Sequence, residues 1–268
     1  MNLDKIREKL DSLQSNNQQR EKKDFSKIFW TPDFGKTTIR VVPSAFNSDY
    51  PFTELKFHYG VGKYPMVALT NFGKQDPVEE FIAELKKTDD KDNWSLAGKL
   101  SPKTRIFAPV VVRGEEDKGV RLWGFGVTIY KALLALAEDE DIGDFTDVTQ
   151  GWDLVVEKVK GNPYPETTVR IKPKQTPLSK DSSEVEEWLK IQPDPKDSHN
   201  QYDYEFIKKQ LDNYLHPDKE DSEETQTPSK SEDSSFEKTL GSHKTDFSTE
   251  TVLKDNKDLG SKFDDLFN

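Results

Sequence analysis

The sequence predicts a mainly β domain, a barrel or small sandwich with helical insertions, set between a short helical arm and an acidic tail. Three observations support this. Short β-prone runs cut by Gly and Pro fill the chain from Phe25 to roughly Pro173. Only 32% of residues are hydrophobic while 33% are charged, which is lean for a chain folded throughout. Charge is also segregated: residues 1–175 carry 27 Lys+Arg and 27 Asp+Glu, whereas the rest of the chain carries 12 and 23, and so holds the whole net charge of -11.

The elements follow in order. MNLDKIREKLDSL places Leu3, Ile6, Leu10 and Leu13 at steps of three and four, one apolar stripe on a short helix. SNNQQREKKD then reads as a polar linker, so residues 1–23 form an arm that either folds back or orders on a partner. TTIRVVPS, LKFHYGVGKYPMVAL, TRIFAPVVVRG, VRLWGFGVTIY, WDLVVEKVKG and TTVRIKP give six strand-like runs. DPVEEFIAELKK and IYKALLALAEDE are helical insertions, and EVEEWLK and YDYEFIKKQLDNYL are amphipathic helices. Tyr204, Ile207, Leu211 and Leu215 give the last a single stripe, expected to lie over the outside of the barrel. Residues 24–216 thus read as the folded core. The stretch HPDKEDSEETQTPSKSEDSS has no periodicity and no apolar content, and residues 217–268 read as a disordered acidic tail ending in the tip FDDLF.

Several function classes are excluded. The chain has no cysteine, so neither disulfides nor a thiolate metal site can form. No window approaches the roughly 18 apolar residues of a membrane span, and MNLDKIREKL is too charged for a signal peptide. A soluble protein with no membrane partner is expected. His58, His199, His216 and His243 are scattered, and no phosphate loop or HExxH pair occurs. Neither an enzyme nor a cofactor or metal site is expected.

The strand-like runs alternate basic and aromatic residues: Arg40; Lys56, Tyr59, Lys63 and Tyr64; Phe72 and Lys74; Lys99, Lys103, Arg105 and Phe107; Arg113; Arg121, Trp123 and Phe125. Single-stranded nucleic acid calls for both groups, cations for phosphates and flat rings for bases. In VRLWGFG a period of two puts Arg121, Trp123 and Phe125 on one face, either a binding wall or a core with Arg121 at its rim. At the tail tip, Phe263, Leu266 and Phe267 are spaced like one face of a helical turn flanked by Asp264 and Asp265. That suits a helix docking into a partner's groove or onto the domain's own surface, and the two states can alternate.

In order and spacing, TIRVVPS, KFHYG, KTRIFAPVVV, GVRLWGFGVTIYKAL, FTDVTQGWDLVVEKVKG, Tyr164 and the terminal FDDLFN resemble the single-stranded-DNA-binding replication proteins of T4-like bacteriophages. The resemblance implies an OB-type barrel and sequence-non-specific, cooperative binding of single-stranded DNA in phage replication, recombination and repair, in the cytoplasm of the infected host. It places the family's cleft arginine at Arg40, its basic-aromatic strand at Lys103 to Phe107, and cleft aromatics at Trp94, Trp123 and Tyr164. A basic arm mediates contact between copies along the strand in such proteins; here Lys5, Arg7, Lys9, Arg20, Lys22 and Lys23 are the candidates. The family's acidic tail recruits replication and recombination proteins, the role implied for Phe263 to Phe267. His58 falls on the family's zinc-ligating histidine, but the three cysteines are missing, which implies that Tyr64, Met66, Leu69, Phe72, Phe81 and Leu85 supply by burial what metal supplies elsewhere. Rival readings are an OB-type module that binds protein or single-stranded RNA.

Overall fold

The computed structural model describes residues 25–216 together with Phe263 and Phe267. The expected arm over residues 1–23, and all of the tail except those two phenylalanines, lie outside the described residues. Eight strands make one sheet: β1 (Phe29–Trp30), β2 (Gly35–Val41), β3 (Thr53–His58), β4 (Met66–Val67), β5 (Lys103–Val112), β6 (Arg121–Phe125), β7 (Gly151–Val159) and β8 (Glu166–Thr176). The helices are α1 (Phe25–Ile28), α2 (Pro77–Leu85), α3 (Lys91–Leu100), α4 (Val127–Glu138), α5 (Ser182–Lys190) and α6 (Tyr204–Leu215).

The expected barrel does not form. The fold is mixed α/β, 34% helix against 27% strand, and its sheet is open and uncurled. Strand order runs β1-β6-β5-β2-β7-β8, with β3 and β4 attached through β5. The two ends do not meet. β1 is two residues long and pairs only with β6, in parallel, while β8 pairs only with β7. Along its length β8 is mostly exposed or half-buried and carries Arg170, Lys172, Pro173 and Lys174. Cations and a residue with no N–H to donate are the features that keep a sheet edge unpaired.

β5 organises the sheet. Its first half pairs with β3, Thr53 opposite Phe107 through Phe57 opposite Lys103. Its second half pairs with β2, Ile39 opposite Val112. Its other edge pairs with β6, Ile106 opposite Phe125 through Val110 opposite Arg121. One face of this ladder buries Ile106, Trp123 and Phe125 with Ile129 and Leu133 of α4. The opposite face buries Leu55, Phe57, Phe107 and Leu122, and the His199 ring closes on Phe29, Phe57 and Phe107 at 4.9–5.2 Å between centroids.

A second lobe is helical. Asp76 caps α2 by accepting from the Val78 and Glu79 amides, with Pro77 at the first helical position, where its missing N–H costs nothing. Val78, Phe81, Ile82 and Leu85 then recur at helical spacing and are buried. They meet Leu96, Ala97 and Leu100 of α3 and Ile207, Leu211 and Leu215 of α6 in one cluster. So α6 has its expected stripe but packs into this lobe, not over the sheet. Met66, Leu69, Phe81 and Leu85 belong to the same cluster, whereas Phe72 packs against the aromatic cluster under β3 and β5. Among the described residues no helix is long and apolar enough to cross a membrane.

Candidate nucleic-acid interface

The basic side chains sort into two groups by their partners. Arg40, the implied cleft arginine, is 0% exposed. Its Nη2 donates to the carbonyls of Asp147 at 2.7 Å and Thr176 at 2.8 Å, and its Nη1 lies 3.6 Å from Asp153. Gly151 makes room for this guanidinium, since a Cβ there would overlap it. Arg113 donates from Nε and Nη2 to Asp153 at 3.0 and 2.9 Å. Arg121 is buried and donates to Glu115 at 2.6 Å. These three arginines hold strands and loops together and offer little to a phosphate.

Arg105 differs. It is half-buried on β5, on the same face as Lys103 and Phe107, opposite Leu55 of β3. Among the described residues no carboxylate lies within ion-pair distance of it; its one hydrogen bond is a long 3.5 Å contact to the Gly124 carbonyl, and its buried Nε has no partner. Burial therefore pulls its pKa below the usual guanidinium value, the neighbouring Tyr59 only partly opposing this. Burial likewise raises the Tyr59 phenol, with Arg105 acting against it. A desolvated cation without a counter-ion is a ready seat for an anion.

Tyr59 is its aromatic neighbour. Tyr59 and Phe72 pack, partly exposed, at the margin of the aromatic cluster floored by Phe57 and Phe107. Lys103 is exposed at the start of the same strand, three residues beyond the end of α3. On α3 the exposed side carries Lys91, Trp94 and Lys99, and Gly98 leaves open space beside them. Trp94 is 53% exposed, yet its Nε1 donates to the Thr88 carbonyl at 2.8 Å, so the ring is presented in a fixed pose. Lys99 and Lys103, like Lys56 and Lys63, form no ion pair among the described residues.

Other expected site residues fall elsewhere. Phe107 and Trp123 are buried in the two cores, leaving no face on which a base can stack; Trp123 meets Trp30 edge-on at 5.7 Å. Lys56 opposes Thr104 and projects to the other face of the sheet from Arg105. Lys63 and Tyr64 share the loop before β4, the ammonium 5.4 Å from the ring centre. Tyr164 is exposed in the turn joining β7 to β8. Register sets it far from Arg105: Lys158 pairs with Gly35, which precedes Ile39 by four residues, and Arg105 precedes Val112 by seven, roughly 36 Å along the strands. At that far end the sequence reading missed Phe34, exposed with the Lys158 ammonium 5.1 Å from its ring; an aromatic immediately before a glycine-started strand was the available signal.

The zinc that the resemblance implies finds no ligand set among the described residues. His58 is buried and its Nε2 lies 2.9 Å from Asp76 Oδ2, the carboxylate that also accepts from the Leu69, Val78 and Glu79 amides. Burial pushes the Asp76 carboxyl up, but the His58 hydrogen bond and those backbone amides outweigh it and hold the group below its ordinary value. Among the described residues no cluster of three or more His, Cys, Asp or Glu is placed to hold a metal ion.

An open sheet joined to a helical lobe, with unpaired cations and held aromatics beside the junction, defines a binding protein for a polyanion with flat substituents. The model of a family described as gp32 DNA binding protein like matches residues 33–227 of the 268, and the chain belongs to that family. It is a single-stranded-DNA-binding protein of phage replication, recombination and repair, not an enzyme. No curated protein matches the chain.

Proposed function

We propose that single-stranded DNA runs past the exposed side of α3 and onto the start of β5, with Lys99, Lys103 and Arg105 on successive phosphates and Trp94, Tyr59 and Phe72 as stacking surfaces. The observation that carries this is Arg105, the half-buried arginine of β5 that pairs with no described carboxylate, where Arg40 and Arg113 share Asp153 and Arg121 pairs with Glu115. Lys63 and Tyr64 extend the surface along the neighbouring loop. Tyr164 serves a separate contact at the far end of the sheet. Occupying unpaired DNA shifts the duplex equilibrium by mass action, without any nucleotide cofactor.

Cooperative coating adds contacts between copies, for which Lys5, Arg7, Lys9, Arg20, Lys22 and Lys23 are the basic candidates. The tail competes with DNA for the same cations as a tethered polyanion, a competition that salt weakens, and it recruits replication and recombination proteins in the host cytoplasm. The test is quenching of tryptophan fluorescence by poly(dT) at several salt concentrations. It compares the full chain with a variant in which the 12 acidic residues of segment 217–262 are changed to amides. Strong quenching, a salt slope of roughly 0.7 per phosphate contact and tighter binding by the amide variant are expected. Equal binding by the two chains removes the competitor, and absence of quenching removes the interface.

A further inference from the structure

The two described residues of the C-terminal tip sit on the helical lobe. Phe263 is 4% exposed and belongs to the cluster formed by α2, α3 and α6. Its ring meets Phe81 of α2 edge-on at 6.1 Å and His216, which follows α6, at 6.4 Å. Phe267 lies one helical turn on, 4.7 Å from Phe263 between ring centres; residues four apart share a helix face. The lobe meets this second ring with polar groups as well. Lys208 Nζ donates to the Phe267 carbonyl at 3.2 Å and lies 4.9 Å from the centre of its ring. Tyr204 approaches the same ring at 6.4 Å while its hydroxyl donates to Glu80 at 2.6 Å, tying α6 to α2 beside the seat.

A buried ring among side chains from separate helices, joined to a lysine that both caps a carbonyl and covers a ring, is a specific seat. We infer that the groove between α2 and α6 is a receptor for the chain's own FDDLF tip, and that the seated tip is an exchangeable latch, withheld from other proteins while it is closed. The occupant is internal because the chain supplies it in place: 46 residues separate His216 from Phe263, and the two rings meet. Connections of that length present their ends to one another at roughly millimolar effective concentration. Charge also agrees, since the tip carries Asp264 and Asp265 and α6 carries Lys208 and Lys209. The seat lies in the helical core, whereas Arg105, Tyr59 and Phe72 lie at the aromatic cluster beneath β3 and β5. Tip and DNA therefore use different residues, the tip meeting α2 and α6 and the proposed DNA path the exposed side of α3 and the start of β5.

The test is fluorescence anisotropy of a dye-labelled SKFDDLFN peptide titrated with the full chain and with full-length F263S/F267S. The variant should bind the peptide about tenfold or more tightly than the wild type, whose groove its own tip already fills. Adding K208E to the variant should weaken capture several-fold. A second arm keeps every native side chain: a site-specific protease sequence placed between residues 225 and 235 is cut, and on dilution the released tip should leave and peptide capture rise to the variant's level. Equal capture by wild type and variant, or capture by neither the variant nor the cut chain, overturns the inference. Self-blocking that fades as the wild-type chain is diluted assigns the seat to a neighbouring copy's tip and overturns the internal latch.

Discussion

Replacing Arg105 with Met removes one charge from β5 while keeping a long side chain against Tyr59 and the β3 neighbours. The guanidinium is half-buried and has no described carboxylate, so the fold loses only a 3.5 Å contact to the Gly124 carbonyl and is relieved of a desolvated cation. Stability should change by no more than about 1 kcal/mol. DNA binding should suffer far more. One charge-assisted hydrogen bond to phosphate is worth about 1.5–3 kcal/mol, which corresponds to roughly 10- to 150-fold in affinity. The slope of log K against log salt should also flatten by roughly 0.7. Arg40→Met is the contrasting control: it strips buried acceptors at Asp147, Thr176 and Asp153 and should cost on the order of 3–5 kcal/mol of stability. Chemical denaturation and poly(dT) titration of both variants separate the effects. If Arg105→Met binds DNA with wild-type affinity and salt slope, the partner-based sorting of the arginines is wrong.

Trp94→Leu should abolish most of the quenching by poly(dT) and weaken binding by about 1–3 kcal/mol, because Trp30, Trp123 and Trp188 are buried and Trp152 is half-buried on the core side of β7; unchanged quenching would place the DNA elsewhere. Asp76→Asn should cost about 2–4 kcal/mol in denaturant titrations, since a buried carboxylate with several donors becomes an amide that cannot accept them all. The folded Asp76 holds its proton less tightly than the unfolded group, whose ordinary value is 3.8. Its contribution is therefore complete above that pH and lost as pH falls through the lowered folded value, so the wild type should lose more stability than the variant between pH 5 and pH 2. Gly124→Ala should destabilise by about 1–3 kcal/mol, its Cβ arriving 2.9 Å from the Phe107 ring; thermal melting reads it. Chelator dialysis should leave the melting temperature unchanged, and elemental analysis finding one zinc per chain afterwards would refute the metal-free lobe.

Much of the local structure was legible because periodicity reports burial directly. The stripe through Ile207, Leu211 and Leu215 is buried as its spacing requires, and the Asp76-Pro77 start marks α2. Closure of the sheet was not legible, because it depends on which strands become edges. Nothing local in TTVRIKP separates an edge from an interior strand until its cations and Pro173 are seen to face no partner. The helix α3 was not legible, and α4, read as a helix from Ile129 on, begins earlier than its sequence pattern suggests. In α3, Leu96, Ala97 and Leu100 are the only buried apolar residues among polar neighbours. In α4, the β-branched Val127, Thr128 and Ile129 extend the preceding strand pattern, and only the tertiary contacts of Ile129 and Leu133 commit them to a helix.

For the interface, alternation identified which residues share a face but not whether that face looks outward. Phe107 and Trp123 were read as stacking candidates on a strand pair whose two sides are both covered, one by α4 and one by His199 and α1. An arginine on a strand is equally ambiguous, because what decides its role is a partner far away in sequence: Arg40 is held by groups more than a hundred residues distant, and Arg105 is set apart by having no carboxylate partner among the described residues. The same logic explains the lobe that lacks zinc ligands. His58 alone suggested a lost metal site, whereas its partner Asp76 lies 18 residues on, in a position that also begins a helix. One carboxylate there gathers the imidazole and three backbone amides, a task elsewhere suited to a cation with several ligands. Such a junction is coupled to protons rather than to metal supply, so the helical lobe should follow acid where a zinc-dependent lobe follows chelator.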